Sequence, residues 1–353
     1  MVSLTINGQK VEVEPETTIL QAAEKLGFFI PTFCYDPELS LPGTCGICVV
    51  QVENSSELAT SCCTPVEDGM VVYTDTEQVH AAREEVLTKL RAIHPMECFT
   101  CEKSGECLLQ DYCFLYGIFQ VNYQGEQEQG EYGIDDSNPF FIRDMNKCIQ
   151  CTLCVRKCHE VNGAGAVDVV STDSSADKVT VEDVPSDSAA ISFDESSCVF
   201  CGMCVDACPV GALIPKQVSG GRTWEPQRVK TICPYCGVGC GLELRIKDNT
   251  VVNVKGDRTN PVNRGHTCAK GRFGYDFLHS PGRLKSPLIR KKGELVEASW
   301  EEALDTVAEK LKGSEGMELA GLTSARATNE ENYLFQKLIR SFKSNNVDHC
   351  ARL

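Results

Sequence analysis

Residues 144–158 read DMNKCIQCTLCVRKC, and residues 194–213 read DESSCVFCGMCVDACPVGAL. Each stretch holds four cysteines spaced CxxCxxCxxxC: Cys148, Cys151, Cys154 and Cys158 in the first, Cys198, Cys201, Cys204 and Cys208 in the second. The recurrence marks an internal repeat. Zinc ligands usually come as separated CxxC or CxxC/HxxxH pairs, whereas four cysteines in one such run are the bacterial ferredoxin spacing for iron–sulfur cubes. A double zinc finger is the alternative reading.

In two-cluster ferredoxins the fourth cysteine of each run ligates the other cluster. That assigns Cys148, Cys151, Cys154 and Cys208 to one [4Fe–4S] site, and Cys198, Cys201, Cys204 and Cys158 to the other. Pro209 follows Cys208 in the usual way, but Cys158 is followed by His159. Between the runs, the Ser- and Asp-rich segment 171–190 reads as a surface hairpin.

The chain has 353 residues and 22 cysteines, with 34 Lys and Arg against 50 Asp and Glu, for a formal charge of −16. Such a balance lacks the basic face a nucleic-acid binder needs. MVSLTING, residues 1–8, runs straight into an alternating strand pattern without the charged and apolar regions of a secretory signal. Clustered thiols without a signal point to a reducing compartment, the cytoplasm, and to metal rather than disulfides. Apolar runs all fall well short of the roughly 18 residues a membrane span requires.

At the N-terminus, two alternating strands flank Asn7-Gly8, the signature of a type I′ hairpin. Residues 17–27, TTILQAAEKLG, then predict a helix with a Thr18/Gln21 capping box, Ile19, Ala22, Ala23 and Leu26 on one face, and Gly27 as a left-handed cap. Hairpin, helix and cysteine loop together make the β-grasp arrangement. The loop supplies Cys34, Cys45, Cys48 and Cys62, with Gly43 and Gly46 allowing close backbone approach to the sulfurs. A [2Fe–2S] cluster is expected there, with zinc as the alternative. The spacing departs from the plant-type pattern C-x₄-C-x₂-C. It resembles the ferredoxin domain of the large iron–sulfur subunit of respiratory complex I and of iron hydrogenases.

Residues 80–113 read as an amphipathic helix running into His94, Cys98, Cys101 and Cys107, spaced HxxxCxxCxxxxxC. The spacing resembles the His-ligated [4Fe–4S] cluster of the same families. A neutral imidazole in place of a thiolate shifts such a cluster's potential upward. Cys113 is left as a spare, buried thiol. The polar stretch 123–138 reads as a linker.

A fifth group begins with residues 229–257, VKTICPYCGVGCGLELRIKDNTVVNVKGD, which predict strands around Cys233, Cys236 and Cys240; Cys268 follows in GHTCAKGRFGYDF. Gly237, Gly239 and Gly241 leave room for the backbone to wrap a cube. Nineteen of the 22 cysteines and His94 are then used, leaving Cys63, Cys113 and Cys350.

CPYCGVGC at 233–240, CAKGR at 268–272, RLKSPLIRK at 283–291 and SWEEALDTVAEKL at 299–311 resemble the N-terminal region of molybdenum or tungsten bis-pterin oxidoreductases, cytoplasmic formate dehydrogenases in particular. The first 215 residues resemble the electron-transfer arm of the NAD-linked members. This resemblance implies that Lys270 lies between the last cluster and the pterin. Residues 322–340 look like a strand ending in a Ser-rich turn that opens a helix, which makes Thr323, Ser324 and Arg326 candidate pterin contacts. It also implies that NNVDHCARL, 345–353, is followed directly by the Mo or W ligand, often selenocysteine, so that position 354 would be selenocysteine read as a stop. A cloned fragment or a natural short carrier is the alternative.

The expected architecture is α+β and multidomain. It comprises a β-grasp [2Fe–2S] ferredoxin domain (1–78), a small helical [4Fe–4S] module with one histidine and three cysteine ligands (79–120), a two-cluster 4Fe–4S ferredoxin domain (138–216), a β-rich 4Fe–4S domain of the Mo/W oxidoreductases (228–284), and a truncated start of an α/β molybdopterin domain (285–353). The resemblance implies the electron-transfer part of a formate dehydrogenase alpha subunit, with a Mo or W bis-pterin guanine dinucleotide in the full-length enzyme. One [2Fe–2S] and four [4Fe–4S] clusters would lead electrons to a flavin- and NAD-binding, diaphorase-like subunit, a ferredoxin or a hydrogenase subunit. No residue of the 353 is expected to make or break a substrate bond, so the chain alone should be inactive on formate. The rivals are the complex I large subunit and a stand-alone multi-cluster carrier. An iron hydrogenase fits less well, because the TSCCTP of residues 60–65 contains Cys62, already claimed by the [2Fe–2S] loop.

Overall fold

The computed structural model describes residues 1–95, 97–119, 132–171, 189–216, 223–314 and 316–350. They form two compact units, Met1–Gln227 and Arg228–Leu353.

The first unit opens with β1 (Val2–Ile6) and β2 (Gln9–Val13), paired antiparallel in the register Val2↔Val13. Asn7 and Gly8 both take positive φ, 47° and 81°, as the two central positions of a type I′ turn demand. Helix α1 (Ile19–Lys25) carries both halves of the Thr18/Gln21 capping box, and Gly27 is left-handed at φ 79°. Next come β3 (Val49–Val52), β4 (Leu58–Thr60) and β5 (Val71–Tyr73). The five strands form one sheet in the order β2-β1-β5-β3-β4, with β1 and β5 parallel. Leu4, Ile6, Val13, Ile19, Leu20, Ala22, Ala23, Val50 and Val72 make its core, while Leu26 packs on it only partly buried. Apolar positions alternate along the strands and recur on one face of α1, so burying them joins helix to sheet.

Helix α2 (Glu77–Ile93) starts at Thr76, whose hydroxyl accepts the Val79 N–H at 3.3 Å, and stops at His94. Its buried Arg83 donates to the Val49 carbonyl at 2.8 Å and the Tyr116 hydroxyl at 3.0 Å, fastening the helix to the sheet and to α3 (Leu108–Leu115). The cysteine repeats fold into β6 (Phe141–Arg143), α4 (Leu153–Arg156), β7 (Val167–Ser171), β8 (Ala189–Phe193), α5 (Met203–Ala207) and β9 (Leu213–Pro215). β6 pairs antiparallel with β9, and β7 with β8. The β7/β8 pairing fits the expected hairpin; its tip, 172–188, and linker residues 123–131 lie outside the described residues. A single core of Phe33, Ile47, Leu87, Leu109, Tyr112, Phe141, Leu153, Val205, Val210 and Leu213 runs through these modules, with cysteines embedded in it.

The second unit holds the sheet β10-β11-β12 (Gln227–Ile232, Gly241–Lys247, Thr250–Gly256), then α6 (Ala269–Phe273) and the hairpin β13/β14 (Leu288–Lys291, Glu294–Glu297). Helix α7 (Trp300–Leu311) is capped by Ser299. Finally β15 (Gly321–Thr323) leads into α8 (Asn329–Ser341) and pairs in parallel with β16 (Val347–His349). Gly321 is required there: a Cβ would stand 2.6 Å from Ile339 Cγ1 on α8.

Candidate metal centres

In the β-grasp loop Cys34, Cys48 and Cys62 are buried, and Cys34 Sγ lies 3.3 Å from Cys45 Sγ. Hydrogen bonds from the Cys45 and Cys62 thiols hold Cys34 down to about 2, and one from Cys62 lowers Cys48 to about 7. The donors move the other way: Cys45 and Cys62 are both driven up. Four sulfurs thus converge so closely that they cannot all ionise without a cation among them, the environment a cationic iron core would relieve. Gly43 makes its close approach elsewhere than expected. Its Cβ position is 2.9 Å from Sγ of the spare Cys63.

His94 caps α2 and faces a cavity of about 230 Å³ that Cys98, Cys107 and Cys113 also line. Its Nδ1 is buried with no hydrogen-bond partner among the described residues, and burial first, then the Arg91 and Lys147 cations, lowers the imidazole to about 4. A half-buried, neutral imidazole whose Nδ1 is idle is chemically ready to bind iron. Burial raises Cys107 to about 11. Cys101 is not among the residues lining this cavity, yet its charge adds to the upward push on Cys107, and its Sγ sits 2.7 Å from the Cβ position of Gly211, so a side chain at 211 would drive into it. Cys113, by contrast, shares the cavity although its spacing placed it outside the motif.

The repeated runs are alike at the backbone. Gln150 and Phe200 are both left-handed (φ 53° and 55°), as are Thr152 and Gly202 (59° and 71°). Each turn aims an N–H at the first sulfur of its run, Gln150 to Cys148 and Phe200 to Cys198, both at 3.4 Å. A single apolar cavity is lined by Cys148, Cys151, Cys154 and Cys208, together with Met145, Ile149, Ile191, Phe193, Val210 and Leu213. Burial raises Cys148 to about 11 and drives Cys151 and Cys154 higher, with Cys208 adding to each. Cys158, from the first run, lies with the second: it and Cys201 both push Cys198 upward, after burial and Glu195. Asn162 Nδ2 donates to Cys201 Sγ at 2.8 Å, and the Ala166 N–H to Cys158 Sγ at 3.2 Å.

In the second unit the Cys233 N–H bonds the Cys240 carbonyl at 2.8 Å, closing the loop after β10. Burial raises Cys233, with Cys268 and Cys236 adding to it and Lys270 opposing. Gly271 on α6 packs so tightly that its Cβ position is 3.4 Å from Cys233 Sγ, and the nearby Thr267 hydroxyl is buried without a partner among the described residues. Residues 321–341 form the expected strand, turn and helix. Thr323 Oγ1 bonds Asn332 of α8, the Arg326 N–H bonds Ser324 Oγ at 3.1 Å, and the Arg326 guanidinium lies 6.0 Å from the ring of Tyr235 in the cysteine loop. Thr323 and Ser324 are therefore engaged internally, while Arg326 reaches the Cys233 loop.

Among the described residues no three Cys, His, Asp or Glu side chains close around a single metal ion. No helix among these residues is long and apolar enough to cross a membrane.

Five family descriptions match the chain in series. They are a 2Fe-2S iron-sulfur cluster binding domain (1–77), an NADH-ubiquinone oxidoreductase-G iron-sulfur binding region (83–122), a 4Fe-4S dicluster domain (147–212), a molybdopterin oxidoreductase Fe4S4 domain (226–280) and a molybdopterin oxidoreductase domain (283–353). Taken in series, these matches make the chain similar to the iron–sulfur region of molybdopterin-oxidoreductase and complex I large-subunit-type proteins. Its fold is multidomain α+β. Over all of its length it is 40% identical to an NADH-quinone oxidoreductase subunit of Rhizobium meliloti and 39% identical to the NADPH-Fe(3+) oxidoreductase alpha subunit of Geobacter sulfurreducens. Over 99% it is 30% identical to a protein of Staphylococcus haemolyticus provisionally named a formate dehydrogenase. It spans 39–40% of the length of these relatives. A solved NAD+-reducing [NiFe]-hydrogenase structure aligns at TM-score 0.49 and 28% identity, covering 63% of this chain and 89% of that one.

Proposed function

We propose that the chain is a five-cluster relay in a formate dehydrogenase alpha subunit. Cys34, Cys45, Cys48 and Cys62 hold a [2Fe–2S] cluster. His94 with Cys98, Cys101 and Cys107, the two crossed ferredoxin quartets, and Cys233, Cys236, Cys240 and Cys268 hold four [4Fe–4S] clusters. The observation that carries this reading is the cavity lined by Cys148, Cys151, Cys154 and Cys208, a set that no single run of sequence supplies.

When bound, each cluster accepts one electron, so a series of them divides the pair released by a two-electron oxidation such as formate to CO₂. The chain's own residues hold thiolates at fixed spacing, keep water from the buried quartet, and direct N–H groups at the sulfurs. Lys270 sits beside the cluster nearest the pterin domain, and Arg326 beside the same cysteine loop, where pterin phosphates would meet positive charge. A Mo or W bis-pterin site and a flavin- and NAD-binding partner subunit complete the path in a reducing compartment, the cytoplasm.

A second reading has its own support. Identity is 40% and 39% to NADH- and NADPH-linked oxidoreductase subunits, against 30% to the formate-named relative, which favours NAD(P)H as the electron donor. Anaerobic addition of each donor to the whole enzyme separates the two. Formate bleaching of the visible iron–sulfur absorbance supports the first reading; bleaching by NAD(P)H alone refutes it in favour of the second. Iron content near 18 atoms per chain is expected in either case.

A further inference from the structure

Arg156 is 4% exposed. Its Nη1 donates to the Ser40 carbonyl at 2.7 Å and its Nε to Thr152 Oγ1 at 3.3 Å, while Nη2 is shared by the carbonyls of Cys34 and, at 3.5 Å, Cys151. All four acceptors are neutral, and among the described residues no carboxylate stands within ion-pair distance of it. Neighbouring cations differ. Lys157 pairs with Asp36 at 3.1 Å and Glu38 at 3.5 Å, and Arg143 with Asp135 and Glu195. A guanidinium cannot shed its proton, and burying one without a counter-charge is strongly unfavourable. Something anionic must balance it. One Nη2 joins the backbone of a [2Fe–2S] ligand to that of a ligand in the first ferredoxin quartet. Arg83 repeats the pattern beside Val49, next to Cys48, but for one cluster only.

We propose that Arg156 is a shared counter-cation, set between the Cys34 cluster and the Cys151 cluster, that raises both potentials and fixes the two sites for direct one-electron exchange. The proposal rests on the ligand sets given above. Four thiolates on a [2Fe–2S]²⁺ or [4Fe–4S]²⁺ core leave a net charge of 2−, and reduction makes it 3−. Passing one electron between the sites returns the donor to 2− and brings the acceptor to 3−; no bond or proton moves. A cation bound to both sites serves either charge distribution, so the electron crosses without recruiting a new counter-ion. The grip is reinforced on the same segment: Glu160 accepts from the Ser40 N–H at 2.7 Å and its hydroxyl at 2.6 Å. Residues 156–160, which span the last cysteine of the first ferredoxin run, thereby hold the loop that carries Cys34.

The test is a redox titration of the iron-loaded protein, followed by electron paramagnetic resonance, for wild type, Arg156→Gln and Arg156→Lys. Wild type lacking two-iron and four-iron signals would mean that the ligand reading had failed, and Arg156 would not be at issue. In Arg156→Gln with full iron content, both midpoints should fall, each by at least a tenfold change in the reduction equilibrium, about 59 mV for one electron. The Cys198 and Cys233 clusters should not move. Arg156→Lys keeps the charge and should shift both by less. Full iron with neither midpoint moved, or only one, overturns the proposal. Should Arg156→Gln lose iron, the fully reduced wild type decides: magnetic coupling between the two-iron signal and a four-iron neighbour is expected, and its absence refutes the shared placement.

Discussion

Crossed ligation in the repeat can be tested by counting iron. The cavity that holds Cys148, Cys151 and Cys154 takes its fourth thiol from Cys208, fifty-odd residues onward, and Cys158 leaves its own run to stand with Cys198 and Cys201. Serine at one ligand of a four-iron cluster removes or destabilises that cluster, so each single variant, Cys151→Ser or Cys208→Ser, should fall from about 18 iron atoms to about 14. The doubles discriminate. If the runs cross, Cys151→Ser/Cys208→Ser strikes the same cluster twice and stays near 14, while Cys201→Ser/Cys208→Ser strikes two clusters and drops to about 10. If each run closes on itself, these two results exchange places. Iron and acid-labile sulfide per chain, with dithionite-reduced electron paramagnetic resonance spectra, give the reading. A Cys151→Ser/Cys208→Ser variant at about 10 irons would refute the crossed assignment.

Three further outcomes are expected. His94 has its proton affinity lowered from 6.5 to about 4, so the unfolded chain takes up a proton first as pH falls through that window. Stability of the metal-free chain should therefore decline from pH 6.5 toward 4, by up to about 3 kcal/mol, and His94→Asn should flatten that slope in urea unfolding. Asn162→Ala removes the amide donor to Cys201, which should lower the midpoint of the Cys198/Cys201 cluster alone; an unchanged potential would exclude the bond as a tuning device. Phe141, 1% exposed at the centre of the cysteine-bearing core, should cost about 3–5 kcal/mol on replacement by Ala, seen as an earlier denaturant midpoint with an unchanged slope.

What the sequence disclosed follows from which forces are local. Asn7-Gly8, the Thr18/Gln21 capping box and the left-handed Gly27 each act within a few residues, so pattern alone located them and the structure repeats them. Cysteine spacing likewise suggested the proposed ligand groups, because a cluster demands its thiolates in short, stereotyped loops. Neither spacing nor propensity could reveal that Cys113 shares the His94 cavity, or that Cys101 packs on Gly211 just after the second ferredoxin run, since both depend on how distant segments stack. Gly43 made sense in the sequence as room for a ligand sulfur, yet the space serves Cys63.

The largest omission was Arg156-Lys157, which in VRKC looks like ordinary solvated charge between two cysteines. Long cationic side chains are normally exposed, and burying them is costly enough that a reader of sequence should assume exposure. Both are buried because a neighbouring domain meets them with Asp36, Glu38 and a row of loop carbonyls, spaced more than a hundred residues away along the chain. Lys157 finds carboxylates there. Among the described residues Arg156 finds only carbonyl and hydroxyl oxygens, so its positive charge is left for the proposed Cys34 and Cys151 clusters to balance.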